Sequence, residues 1–122
     1  MDPKAVAYFR DHGIPALRVR GASMGAALPG GGNVPVEARP ARAGDVVVYT
    51  RGGDLIIHRL AYAVAGRCCT IGDNAAAPDP LIRRSDIIGV VPGARRPALP
   101  AALRVAGHYC RRAIRRLCLH PV

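Results

Sequence analysis

With 122 residues, half of them hydrophobic, the chain is long enough for one domain with a sizeable core and too apolar to be disordered throughout. Its net charge of +10 first suggests nucleic acid or an anionic surface, but residues 1–92 hold ten Arg, Lys4 and all eight acids, for +3, while residues 93–122 hold seven Arg and no acid, for +7. With no Trp, one Phe, no zinc-finger spacing and no helix-turn-helix, the chain lacks the usual means of reading or stacking on bases, which argues against nucleic acid.

Asp2-Pro3 can cap and open a short helix running to about His12, where Gly13 and Pro15 stop it. Ala16–Arg20 alternates, with Leu17 and Val19 on one side and Arg18 and Arg20 on the other, as a half-buried strand does. Gly21-Ala22-Ser23-Met24 follows, a serine among small residues where that strand ends. Leu28–Asn33 is a glycine-rich turn without the Lys-Ser or Lys-Thr of a phosphate loop. Val34–Glu37 carries Pro35 and reads as an edge strand. Val46–Tyr49 reads as a buried strand, reversed at Gly52-Gly53-Asp54 into Leu55–Leu60. Tyr62–Ala65 and Cys68–Ile71 read as a further pair around Gly66.

A loop from Gly72 to Pro80 holds Asp73, Asn74 and Asp79, a turn is expected at Arg83–Asp86, and Ile87–Val91 reads as the last strand. Pro92–Pro100 is a linker. From Ala101 the pattern turns helical, with Leu103, Ala106, Cys110, Ala113, Ile114 and Leu117 on one face and five arginines mostly on the others. The expected architecture is therefore mainly β, residues 1–92 forming the domain with a short N-terminal helix and residues 93–122 a linker and a basic amphipathic helix.

Cys68, Cys69, Cys110 and Cys118 match no zinc or redox spacing and read as reduced thiols. No run reaches the roughly 18 apolar residues of a membrane span, and Asp2, Lys4, Arg10 and Asp11 break up any secretory h-region. The expected location is the cytoplasm, with the basic helix as a means of peripheral contact with the inner face of an anionic membrane. A metal site from Asp73, Asn74 and Asp79 would have too few oxygen ligands, so neither metal nor cofactor is expected.

Ser23 is a candidate nucleophile, and a serine hydroxyl needs a positioned base. His58 is the histidine set within an apolar strand, and Asp73 and Asp79 are the acids that follow it. Each has a plainer reading alone: a turn serine, a structural histidine, loop-organising acids.

Taken together, Gly-x-Ser-Met, Gly-Asp-Val-Val-Val-Tyr, Ile-His-Arg-Leu, Ile-Gly-Asp-Asn with Asp79 following, and Ile-Ile-Gly-Val-Val resemble, in order over about residues 17–91, the type I signal peptidase family. The similarity is greatest to its histidine-containing branch of the endoplasmic reticulum, archaea and some bacteria. The resemblance implies a compact antiparallel β fold of the signal-peptidase and repressor-cleavage type. It also implies Ser23 as nucleophile, His58 as general base and Asp79 as orienting acid, with Asp73 in the Gly-Asp-Asn motif. Gly21, Ala22, Met24 and Ile57 would then line a site for an extended peptide with small residues before the cut. A catalytically idle peptide- or membrane-binding member is the other reading, motivated by Ala26 where the family usually has Pro and by the arginine-rich tail.

Overall fold

The computed structural model describes residues 2–21, 24, 27, 28, 32–94, 97 and 99–119, the side chains of 117–119 excepted. Helix α1 (Pro3–His12) begins as its sequence dictates. Asp2 accepts from the Lys4 backbone N–H at 2.9 Å, and Pro3 takes the first position, where its missing N–H costs nothing. Gly13 ends it at φ 76°, donating its N–H to the Phe9 carbonyl. A Cβ at Gly13 would collide with the Val36 carbonyl oxygen, so this position needs glycine for space as well as for conformation.

Strands β1 (Ile14–Arg18) and β2 (Asn33–Val36) form a two-stranded antiparallel sheet. Val34 and Val36 point into the core and Pro35 points outward, the arrangement that lets a residue without an N–H sit in a strand. Five further strands, β3 (Val46–Arg51), β4 (Asp54–Val64), β5 (Arg67–Ile71), β6 (Ile82–Arg83) and β7 (Ile87–Val91), form an antiparallel sheet in the order β6-β5-β4-β3-β7. A 3-10 turn at Arg84–Asp86 links the last two. The small sheet is joined to the large one where Glu37 and Val90 exchange backbone hydrogen bonds of 2.8 and 3.0 Å. Gly89 permits that approach, because a Cβ there would strike the Glu37 carbonyl oxygen. The expected mainly β architecture with a helix at each end is what the chain adopts.

One expectation about the strands is corrected. Leu55–Leu60 and Tyr62–Ala65 are not separate strands: Leu55 to Val64 all belong to the single strand β4, and Ala65 lies in the turn that follows. No glycine or proline interrupts the run, and an irregularity between Leu60 and Tyr62 absorbs the change of phase as a bulge does.

Both hairpin turns of the large sheet have two residues at positive φ, the form whose twist matches the flanking strands. Gly52 and Gly53 meet this without strain at 59° and 84°. Ala65 does not: it sits at φ 50° ahead of Gly66, the one non-glycine residue at positive φ among those described. Left-handed backbone costs an alanine about 1–2 kcal/mol. Ala65→Asn is therefore expected to stabilise the fold by about 0.5–1 kcal/mol, read as a melting temperature several degrees higher.

Alternation along β3 and β7 sorts the core to the two faces of the large sheet. Val46, Val48, Ile88 and Val91 pack with Ile14, Met24, Val34 and Val36, and Val6 and Phe9 of α1 lie against this cluster. Val47, Tyr49, Leu60, Cys68, Ile82 and Val90 form the other.

Helix α2 (Ala101–Leu119) packs by its first turns, where Ala101 and Val105 meet Ala61, Cys69 and Ile71. The apolar stripe is thus not the face that docks. Leu103, Ala106, Cys110, Ala113 and Ile114 are all exposed, while Leu117 lies outside the described side chains. Small Ala101 and β-branched Val105 let the helix sit close to the sheet. Arg104 on the same side donates to the carbonyls of Gly72 and Ala75 at 3.1 and 2.8 Å.

Candidate active site

His58 and Arg59 are neighbours on β4, so their side chains leave the sheet on opposite faces. That single fact separates the two aspartates of the loop after β5. His58 lies opposite Val47 of β3, and Leu60, two residues on, lies opposite Thr70 of β5. Tyr49, His58 and Thr70 therefore come from three adjacent strands to one face. The loop returns to that face because the Asp79 backbone N–H donates to the Thr70 carbonyl at 2.8 Å.

The Asp79 carboxylate meets the His58 imidazole there, with Oδ2 2.5 Å from Nδ1 and both side chains 13% exposed. The same oxygen lies 2.8 Å from the Thr70 hydroxyl and 3.2 Å from the Tyr49 hydroxyl, which are 3.0 Å from each other. Each hydroxyl has one proton, so the three groups share two hydrogen bonds at a time.

Burial pushes the Asp79 carboxyl upward, but the hydrogen bonds from His58 and Thr70, the nearby imidazole charge and the Tyr49 hydroxyl outweigh it and hold the group below the usual aspartate value. Asp79 is thus ionised at neutral pH and can only accept. The imidazole must donate from Nδ1, which leaves the lone pair of the neutral ring on Nε2. Tyr49 is pushed up to about 12, chiefly by burial, and stays a neutral phenol.

Because the folded-state value of Asp79 is depressed, its ionised form stabilises the fold in full above its ordinary value of 3.8, and that contribution is lost as pH falls through the lower folded-state value. In denaturant titrations at a series of pH values, the stability advantage of the wild type over Asp79→Asn should hold from pH 7 to about 5 and shrink below about 4.

Asp73 goes to the other face. Its carboxylate takes the Arg59 guanidinium side-on, with Nε to Oδ1 at 2.9 Å and Nη2 to Oδ2 at 2.8 Å. Arg59 also donates Nη1 to the Gly44 carbonyl at 2.7 Å and is 1% exposed. Arg104 of α2 approaches Asp73 to 3.9 Å. The structure thus places Asp73 in a buried ion pair behind β4 and Asp79 on His58. The two carboxylates do not converge on one point that could hold a metal.

A cleft of about 750 Å³ runs along the first half of β4, between Asp54–His58 and Leu17–Gly21. β5 pairs with β4 only from Arg59 to Val64, so β3 alone among the described strands flanks this half. The cleft therefore lies along a strand edge and not on a sheet face. Of the residues expected at a peptide site, Ile57, Gly21 and Met24 line this cleft, and Ala22 lies outside the described residues. Ser23 lies outside them too. Its neighbour Met24 is 4% exposed and packs in the first core cluster. The Val19 N–H donates to the Gly32 carbonyl at 2.6 Å.

Compared with known proteins, the chain matches no family model, no curated protein and no solved structure. What can be said of the site rests on its own geometry.

Sequence reasoning missed Tyr49 and Thr70, the two hydroxyls that grip Asp79, and Arg59, the partner of Asp73. A signal for Tyr49 existed: counting by twos across the Gly52-Gly53 hairpin sets it on the His58 face. For Thr70 there was none, since its place depends on the bulge in β4. Cys68 and Cys69 are buried and Cys110 exposed, all three as free thiols; burial pushes the first two thiols up.

Proposed function

We propose that the chain is a serine endopeptidase of signal-peptidase-like type that cleaves a leader, signal or precursor peptide, with Ser23 as nucleophile, His58 as general base and Asp79 as orienting acid. The observation that carries this reading is the hydrogen bond of 2.5 Å between His58 Nδ1 and an ionised, half-buried Asp79 at the side of the strand-edge cleft. A half-buried carboxylate gripped by a tyrosine and a threonine is a large construction for a histidine with only a packing role. It is what a base needs to keep one tautomer and to stabilise the imidazolium formed when it takes a proton.

In the proposed reaction His58 Nε2 removes the Ser23 hydroxyl proton as the oxygen attacks a peptide carbonyl. The carbonyl carbon becomes tetrahedral, and the Ser23 backbone N–H stabilises the oxyanion. His58 then returns the proton to the leaving amine, and water, activated by the same nitrogen, releases the acyl group. The substrate would lie extended along Asp54–His58, adding a strand where, among the described strands, β3 alone flanks β4. Gly21 and Met24, which flank Ala22 and Ser23 in sequence, line the same cleft.

Digestion of a proteome-derived peptide library, read by mass spectrometry, tests the proposal. Cuts after small residues by the wild type and none by Ser23→Ala would support it. Equal cutting by both would overturn it. A wild type that cuts nothing but binds extended peptides in the cleft would favour an idle peptide-binding module.

A further inference from the structure

Helix α2 is mounted with its apolar side outward. A surface helix of a globular domain turns its apolar stripe to the core, but α2 docks through Ala101, Arg104 and Val105 and leaves Leu103 57% and Ile114 59% exposed. At 100° per residue, Leu103, Ala106, Cys110, Ala113 and Ile114 share one side, opposite Ala101 and Val105. Leu99, just ahead of the helix, is 50% exposed and lengthens the patch. The exposed arginines, Arg111, Arg112, Arg115 and Arg116, fall on the flanks and the domain side of the helix, and no acid occurs anywhere in residues 93–122.

We propose that α2 is an interfacial membrane helix, which lays its outward apolar stripe into the surface of an anionic bilayer while its arginines meet lipid phosphates and the β domain stays on the aqueous side. The charge selects the occupant. An apolar stripe alone would suit a second copy of the chain, but two copies would bring two all-cationic helices together. Nucleic acid would satisfy the arginines and leave Leu103 and Ile114 in water. A bilayer with anionic headgroups satisfies both features. No helix among the described residues is long and apolar enough to cross a membrane, so α2 lies in the plane of the surface. Arg111, Arg112 and Arg115 also line, with His108 and Ala75–Ala77, a groove of about 770 Å³ wide enough for headgroup phosphate.

The test is co-sedimentation of the full chain with vesicles of phosphatidylcholine alone or mixed with phosphatidylglycerol. The wild type should pellet with the mixed vesicles and stay in solution with the neutral ones. Leu103→Glu combined with Ile114→Glu should abolish pelleting with an unchanged thermal melt, because both side chains are already in water. Removing arginines one by one among 111, 112, 115 and 116, as Arg→Gln, should weaken binding about fivefold each. A wild type that stays in solution with both lipids would overturn the proposal. So would pelleting indifferent to the glutamates, or a dimer in sedimentation velocity that the glutamates dissolve while lipid binding is absent. None of these outcomes depends on proteolysis.

Discussion

Ser23→Ala and His58→Ala should each remove nearly all peptide cleavage, and the double variant should be scarcely worse than either. Groups that move one proton in one step act as a unit, so losing either forfeits the same contribution. In comparable serine enzymes what survives such losses is roughly 10³–10⁴-fold over water, from binding and the oxyanion site. Single-turnover assays on one identified peptide give these rates. Substantial cleavage by Ser23→Ala would remove serine catalysis from consideration, and additive losses would mean that Ser23 and His58 do not cooperate.

The second large effect divides the two aspartates. Asp79→Asn keeps the shape of the side chain but can present an amide to His58, which permits the wrong tautomer. The expected loss of rate approaches ~10⁴-fold. At pH 7 stability should fall by an amount that is small beside this, since the hydroxyl oxygens of Thr70 and Tyr49, which face the same atom as His58, can accept from that amide. Asp73→Ala should behave in the opposite way. It leaves the Arg59 guanidinium buried without its carboxylate, at a cost of about 3–5 kcal/mol, or a drop of roughly 10 °C or more in melting temperature. Cleavage near room temperature should fall mainly with the folded fraction. A stable, inactive Asp73 variant beside an active Asp79→Asn would transfer the orienting role to Asp73. If neither change slows cleavage, His58 works without an acid.

Much of the architecture was legible because it follows from local rules. Asp2-Pro3 and Gly13 bound α1 through capping and positive φ, and Gly52-Gly53 can hardly be anything but a tight hairpin. The alternation through Val46–Tyr49 and Leu55–Leu60 placed His58 on the face opposite Arg59. Asp79 as the partner of His58 came from motif resemblance alone; spacing left it level with Asp73.

The tertiary structure decided what depends on residues far apart in the chain. Which aspartate reaches which face of β4 is settled by the Asp79 N–H bond to Thr70 and by the bulge that brings Thr70 opposite Leu60. Neither leaves a local pattern. The direction of α2 was equally hidden: periodicity defines an apolar stripe, but only contact with Ala61 and Ile71 shows that the helix docks by its other side. Sequence by itself determined most of the strands and helices, and the face a residue takes within an unbroken alternation, because those are properties of successive residues. The docking of one segment on another is a competition among surfaces, and only the folded chain records which of them won.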